Sequence, residues 1–435
     1  MITITAAVVT LGCRLNQADS ALLSDRLMKA GFQIVEEDGE DSPNLIIVNS
    51  CIVTATAARK TRQTLASLRR KHPYAYIVLT GCAAEAGPDE AADTSDYDIL
   101  LANADKDKLE TMLERRFNIS PEKGVHNLLS KDKKVFTEGA CSVFPFKTRA
   151  NLKIQEGCEN FCTYCIVPHV RGPERSRCRK ETLQDFRQLL EHGYKEIVLT
   201  GVNICNYRDG NTDIAGLLDE MLAFEGDFRI RLSSTEPGPM IPELVKRIAE
   251  NSRLCNFLHL PLQSGTDKIL KKMGRKYTCA EYRAMVENAR KLVSGIHIGA
   301  DWIVGFPGET EKDFDNTCKF IESLHFSNLH VFPYSPRKGT PAAELPGRIP
   351  IEQIMERLER AKAIKNETIM AFAHALIGQQ ETVLAERQCS EDLYEGLSSN
   401  FARIRFRAKE DVTGKFCKVQ VCSVSEEGVI GAKLV

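Results

Sequence analysis

The sequence has no stretch approaching the ~20 apolar residues that a membrane span needs. Its opening, Met1-Ile-Thr-Ile-Thr-Ala-Ala-Val-Val, lacks the basic segment of an export signal and reads as a strand. Neither export nor membrane insertion is expected, and a cytoplasmic location follows. Net charge is lacking as well. Lys and Arg number 58 and Asp and Glu 59, a balance of −1. That excludes a basic coat over the whole chain and leaves only local basic patches for binding nucleic acid. There is no low-complexity segment and no strong internal repeat. Cysteine, in contrast, is abundant, at 15 in 435 residues. In a long chain with an odd count and no export signal, thiols point to metal or catalysis rather than to a disulfide framework. Cys178, Cys205, Cys255, Cys279, Cys318, Cys389, Cys417 and Cys422 fit no ligand spacing and are expected to be small buried apolar residues.

The length suggests two to four domains at roughly 100–200 residues each, and the pattern divides accordingly. Ala6–Leu11, Leu45–Val48 and Tyr76–Leu79 read as buried strands. The helical stretches between them run from about Leu15 to Gly31 and from Thr56 to Lys71. This alternation predicts a doubly wound, mostly parallel sheet over residues 1–118. Residues 119–147 carry no clear period and read as a connector. A second alternation follows over 148–375. Its strand candidates are Leu152–Gln155, Glu196–Thr200, Arg229–Ser233, Phe257–Leu262, His297–Val304 and Asn328–Tyr334. Six strands with crossover helices fit an open or partial (β/α)6 barrel, short of the eight that close a TIM barrel. A long helical pattern from Ile351 to about Leu376 leads into residues 376–435. There Glu381–Ala385, Phe401–Phe406 and Lys418–Val421 suggest a small all-β domain.

Two groups of cysteines occupy positions that chemistry can use. Cys158, Cys162 and Cys165 lie at i, i+4 and i+7 just past a strand and Gly157, so a loop can aim all three at one centre. A structural zinc site needs four ligands, with His169 as a candidate fourth. Three thiolates alone suit an iron–sulfur cluster with one iron left open. Cys13, Cys51 and Cys82 are far apart in sequence, yet each follows the carboxyl end of a parallel strand. Those ends share one edge of an open sheet, where ligands bind. Three unrelated buried cysteines are the alternative.

The CxxxCxxC spacing resembles the radical S-adenosylmethionine superfamily. With Thr10–Gln17, Asn49–Thr54, Thr80–Cys82, Arg171–Arg177, His259–Gly265, Met273–Arg275 and Asp301–Thr310, the chain resembles the methylthiotransferases over nearly its whole length. The resemblance implies an enzyme with two 4Fe–4S clusters. One, on Cys158, Cys162 and Cys165, would bind S-adenosylmethionine. The auxiliary one, on Cys13, Cys51 and Cys82, would carry the sulfur for insertion at an unactivated carbon. It also implies a low-potential electron donor, a sulfur source and, through a C-terminal TRAM-like domain, tRNA bound at its anticodon loop. Candidate S-adenosylmethionine contacts are Tyr164, Gly201, Asn203, Gln263, Ser264, Ile303 and Val304. Gly201-Val-Asn203 departs from the Gly-Gly-Glu that other radical enzymes carry there. His259 by itself reads as a core histidine.

Family members modify isopentenyladenosine or threonylcarbamoyladenosine in tRNA, or an aspartate of a ribosomal small-subunit protein. Ser233-Ser-Thr-Glu-Pro237, Phe332–Arg337 and Gly339–Ala342 resemble the threonylcarbamoyladenosine branch. Ser234, Glu236 and Arg337 are therefore expected to face the substrate. Arg337 is the candidate partner for the threonyl carboxylate; the role of Glu236 does not follow. Arg403, Arg405 and Arg407 alternate with Ile404 and Phe406, which puts the arginines on one strand face as a candidate RNA patch. Arg59, Lys60, Arg62, Arg69, Arg70 and Lys71 form a second basic run, on a helix without acids. A non-catalytic iron–sulfur protein that positions tRNA is the reading of another class.

Overall fold

A computed structural model of the protein describes residues 4–39, 42–86, 94–117 and 148–435. The expected connector, 119–147, lies outside these. Among the described residues no helix is long and apolar enough to cross a membrane.

The first unit is a five-stranded sheet, parallel throughout, in the order Gln33–Ile34, Thr5–Thr10, Leu45–Ser50, Tyr76–Gly81, Ile99–Leu100. Leu45–Ser50 is buried at every position because helices cover both faces. Leu23 and Leu27 of helix Arg14–Lys29 pack with Ile47 and Val78 on one face. Leu65 and Leu68 of helix Ala55–Lys71 pack with Ile46, Val48 and Ile77 on the other. The two short edge strands are too brief to leave a pattern in the sequence.

The six expected strands of the second unit are present and run parallel. Arg149–Lys153, Glu196–Thr200 and Arg229–Leu232 form one half, and Phe257–His259, His297–Val304 and Asn328–Pro333 the other. Bridges Ile230↔Leu254 and Ser234↔His259 join the halves into an open barrel. Two of the strands differ from their expected bounds by more than one residue. The first strand begins at Arg149 and ends at Lys153 rather than running from Leu152 to Gln155. The fourth stops at His259 rather than Leu262, because Pro261 has no N–H to donate and Gln263 adopts φ +68°. Alternation then sorts the side chains. Leu258, Ile298, Ala300, Trp302, Val304 and Leu329 pack into the main core, where Trp302 stacks on Phe314 of helix Glu311–Leu324. His259, Asp301, Ile303 and His330 therefore face the barrel lumen.

The C-terminal unit is a closed barrel of five strands, in the order Gln380–Ser390, Leu393–Ser398, Arg403–Arg407, Ile430–Leu434, Phe416–Val424. Leu393–Ser398 and Ile430–Leu434 were not expected, since Glu395-Gly396 and Gly431 interrupt the apolar alternation. This unit has its own core around Val383, Ile404, Phe406 and Val419, and it is also bonded to the barrel. Arg229 donates to the carbonyls of Leu397 (2.8 Å) and Thr382 (3.0 Å), and Arg231 to those of Ser398 (2.9 Å) and Ser399 (3.0 Å). Both arginines also bond the buried Glu196 at the barrel's base. Phe401 packs 4.9 Å from Phe257 and lies under Arg14 of the first unit. Removing the C-terminal unit would uncover these charges.

Of the cysteines expected to be small buried residues, Cys205, Cys255, Cys318 and Cys417 are buried and Cys279 is half-buried. Cys178, Cys389 and Cys422 are exposed. All three stand where the chain itself is at the surface, in a loop or on an outward strand face.

Candidate iron–sulfur and S-adenosylmethionine site

The contiguous triplet sits on a loop that the rest of the chain pins from several sides. Gly157 enters it at φ +75°, and a Cβ there would lie 1.9 Å from the Pro173 carbonyl oxygen, so only glycine fits. Cys158 N–H donates to Gly172 and Cys165 N–H to Cys162. Between them, Thr163 N–H bonds the Met273 carbonyl at 2.9 Å, its hydroxyl bonds Lys272 at 2.8 Å, and its carbonyl accepts from Ala342. The segments Met273–Arg275 and Gly339–Ala342 thus meet at the cysteine loop.

Arg275 is buried there. Its Nη1 lies 3.2 Å from Cys162 Sγ and 3.5 Å from the Tyr164 hydroxyl, and its Nη2 pairs with Glu236 at 2.5 Å. This gives Glu236 a partner: it pairs with the arginine that bonds Cys162. Burial foremost pushes the thiol of Cys158 up to about 11 and that of Cys165 to about 12, with neighbouring thiols adding to both.

The distributed triplet is assembled by the first sheet. Cys13, Cys51 and Cys82 directly follow the ends of strands Thr5–Thr10, Leu45–Ser50 and Tyr76–Gly81, within one to three residues. Gly12 adopts φ +99°, and a Cβ on it would touch Cys51 Cβ at 2.6 Å and Sγ at 3.0 Å. Burial, then the neighbouring Cys82 and Cys13, pushes the Cys51 thiol to about 12. Asn16 secures the strand ends by donating to Leu11 (2.7 Å) and Ser50 (2.9 Å).

Arg171, from helix Val167–Arg171 just after the cysteine loop, reaches across to this second triplet. Its guanidinium bonds Asn16, Asp19 (2.9 Å) and Glu156 (2.7 Å). Burial opposes its charge, yet Cys82, Asp19, Glu156 and Cys13 hold it well above the ordinary arginine value. Lys153 and Lys106 complete the group around the fully buried Asp19, at 2.7 and 3.1 Å. Arg171, Asn16, Asp19 and Arg275 were not singled out in the sequence, although Asn16, Arg171 and Arg275 lie inside the quoted motifs.

The residues present fit iron–sulfur clusters and S-adenosylmethionine. Each triplet offers three soft thiol donors, which lose their protons on binding metal. Among the described residues only His259, Asp301 and His330 bring three ligand atoms within 4.8 Å of one another, so neither triplet is drawn in to the spacing of a single ion. His169 is exposed against Phe161, away from any such gathering. At the strand exits proposed for S-adenosylmethionine, Asn203 Oδ1 and Ser264 Oγ are buried without a partner. Gly201 leaves space that a Cβ would close at 2.9 Å from Gln155 Oε1, the atom that accepts from the N–H groups of Val202 and Asn203. Gln263 holds its left-handed φ beside them, a strained conformation typical of functional positions. Ile303 packs in the small cluster that includes Tyr164. Val304 points the other way, into the helix-side core, so the two do not line one pocket.

The remaining expected residues are spread more widely. Ser234 bridges to His259 at the third strand's exit. Arg337 is buried at 8% exposure, with its carbonyl bonded by Thr340. Two residues before it, the Ser335 hydroxyl accepts from Ala55 N–H at 2.9 Å, which sets this segment against the helix that follows Cys51. Arg403, Arg405 and Arg407 share a strand face as expected, with Ile404 and Phe406 buried opposite. They are ion-paired: Arg387, Arg403 and Arg405 gather on Glu395, and Arg407 pairs with Asp392.

Comparison with known proteins covers nearly the whole chain. Residues 152–321 match the Radical SAM superfamily and residues 5–102 the uncharacterized protein family UPF0004. The threonylcarbamoyladenosine tRNA methylthiotransferase MtaB of Bacillus subtilis is 35% identical, over 96% of this chain and 93% of its own length. MtaB of Thermotoga maritima is also 35% identical, over 99% and 97%. The tRNA-2-methylthio-N(6)-dimethylallyladenosine synthase of Moorella thermoacetica is 34% identical, over 96% and 95%. Among solved structures, the radical S-adenosylmethionine methyltransferase TsrM from Kitasatospora setae shares the fold at TM-score 0.56 and 15% identity, covering 79% of this chain and 77% of that one.

Proposed function

The chain belongs to the radical S-adenosylmethionine tRNA methylthiotransferases, and on that premise we propose that it methylthiolates carbon 2 of threonylcarbamoyladenosine beside the tRNA anticodon. Relatives of both tRNA branches match almost equally well, at 35% and 34% identity, so overall similarity does not choose between the substrates. The observation that carries the choice is the polarity of the lumen wall. Ser234, His259, Asp301 and His330 line it next to Ile303 and the cysteine loop. A hydrocarbon isopentenyl tail would lie against this polar wall without bonding it, whereas a threonylcarbamoyl group offers donors and acceptors to meet it.

In this reading Cys158, Cys162 and Cys165 hold the cluster that binds S-adenosylmethionine, and Cys13, Cys51 and Cys82 hold an auxiliary one. Together these cofactors supply the one-electron and sulfur chemistry that no protein side chain offers. The chain's own residues do the rest. Arg275 and Arg171 place a buried cation beside each thiol set. Asn203, Gln263 and Ser264 present polar atoms to S-adenosylmethionine, and Tyr164 and Ile303 its apolar wall. Arg337 receives the threonyl carboxylate, at the segment that joins the barrel to the Cys51 side. Arg59, Lys60 and Arg62 are exposed on the adjoining helix and form no ion pair among the described residues. With the arginine strand of the C-terminal unit they provide phosphate contacts. The base is splayed from its single-stranded loop into the lumen. Electrons and replacement sulfur come from outside the chain.

The test offers purified, cluster-loaded enzyme anticodon stem-loops carrying threonylcarbamoyladenosine, isopentenyladenosine or plain adenosine, read by nucleoside mass spectrometry. Methylthiolation confined to the first is expected. Equal turnover on all three would overturn the substrate assignment.

A further inference from the structure

His259, Asp301 and His330 stand on three adjacent strands, and the register sets Asp301 opposite His330. Both imidazoles meet one carboxylate oxygen: His259 Nε2 lies 3.1 Å and His330 Nδ1 3.3 Å from Asp301 Oδ1. The rings sit 5.2 Å apart, tilted by 35°. Strand positions in one sheet hold such a group more rigidly than a loop would. Burial works against the Asp301 charge, but hydrogen bonds from the two histidines keep the carboxyl well below its usual range.

Exposure separates the three. The side chain of His330 is 50% exposed, against 22% for Asp301 and 14% for His259. His330 is therefore the member that a ligand in the lumen meets. In the tautomer that donates Nδ1–H to Asp301, the other ring nitrogen, Nε2, is an acceptor. Asn328 Nδ2 lies 3.5 Å from it, the outer limit of a hydrogen bond, so a closer donor would displace it. Two residues along the same wall, Ile303 packs with Tyr164 of the cysteine loop. Glu236, the partner of Arg275, follows the third strand, whose exit residue Ser234 bridges to His259. The acceptor thus lies in the lumen beside the place where the base must enter.

We propose that His330 Nε2 accepts a hydrogen bond from the hydroxyl of the threonyl group, with Asp301 and His259 as positioning residues that fix the imidazole. This rests on the substrate reading above and deepens it by naming the atom that reads the hydroxyl. A site that bonds a hydroxyl discriminates against an analogue that lacks it, and less steeply at a half-exposed imidazole than at a buried one.

The experiment compares stem-loops bearing threonylcarbamoyladenosine with stem-loops bearing 2-aminobutyrylcarbamoyladenosine, which keeps the carboxylate, the carbamoyl group and the carbon skeleton but has no hydroxyl. The cluster-loaded wild type should prefer the threonyl form by about tenfold or more in kcat/KM. His330→Phe should bring that ratio close to one, and His330→Asn, which keeps an acceptor, should retain part of it. Asp301→Asn, which frees the ring to turn, should also lower the ratio. Iron content and circular dichroism check that each variant is folded and loaded. An unchanged ratio in His330→Phe would overturn the proposal while leaving the substrate reading intact; no turnover of the threonyl form by the wild type would overturn both. A stoichiometric divalent cation in the wild type, lost from Asp301→Asn, would replace the proposal with an ion site.

Discussion

The two cysteine triplets hold the same donor set by opposite means. Cys158, Cys162 and Cys165 fall within eight consecutive residues, on a loop fixed largely by backbone hydrogen bonds to the carbonyls of Met273 and Gly172 and from the N–H of Ala342. Cys13, Cys51 and Cys82 span 70 residues and meet only because three parallel strands end at one edge. Their cations differ in the same sense. Arg275 touches Cys162 directly, next to a single carboxylate. Arg171 reaches the other triplet from within a group that ties the first unit to the barrel. A contiguous site can thus be altered with little effect on the fold, while a distributed one shares its supports with the domain interface.

The largest test breaks the pair apart. Replacing Cys158, Cys162 and Cys165 together by Ala should leave about four of eight irons and abolish cleavage of S-adenosylmethionine. The same change at Cys13, Cys51 and Cys82 should also halve the iron but keep cleavage and lose thiolation. Iron analysis and 5′-deoxyadenosine release decide it, and equal loss of cleavage in both would show that the triplets are not divided in this way.

Arg171→Met probes the shared support. It strands the buried Asp19 and Glu156 with fewer partners and should cost about 3 kcal/mol of stability, seen as a lower unfolding midpoint in denaturant. Arg275→Met, beside the contiguous triplet, should cost less. The reverse order would refute the contrast drawn between loop and interface.

Acid should act at the barrel's base. Burial foremost, then Arg231, lowers His297 to about 3. The folded state holds this imidazole neutral, so its contribution is complete above the unfolded value of about 6.5 and is lost as pH falls from there toward 3. Between pH 6.5 and 5 the loss is about 2 kcal/mol. Thermal unfolding of wild type and His297→Gln should diverge over that window, with the variant flatter; parallel curves would contradict this.

The smallest effect expected is electronic. Removing the N–H donor to Cys162 by Arg275→Met should make the midpoint potential of the contiguous cluster more negative, because a hydrogen bond to sulfur favours the reduced form. Glu236→Gln should shift it slightly the other way. Potentiometric titration followed by electron paramagnetic resonance reads both, and the auxiliary cluster should not move.

Much of this was legible without coordinates. The spacing of Cys158, Cys162 and Cys165 is itself a local geometry, and the position of Cys13, Cys51 and Cys82 after apolar runs placed them at strand ends. The alternation of strands and helices fixed a doubly wound sheet and a six-stranded barrel, because burial on both faces leaves continuous apolar runs. The C-terminal strands were harder to read, since a small closed barrel tolerates Glu395 and Gly396 in a buried strand.

What the chain alone determined, then, is which residues are chemically capable and which secondary elements carry them. Period and spacing are properties of neighbours in sequence. Tertiary structure decided the pairings: Glu236 with Arg275, Arg171 with Asp19 and the distant thiols, Arg231 with the C-terminal carbonyls, and two histidines with Asp301. It also decided that Ile303 and Val304 part to opposite faces. The physical reason is that a charge or hydrogen bond acts over a few ångströms of space. The groups that meet at that range here lie between 39 and 168 residues apart in several of these pairs, and no local pattern records such a meeting.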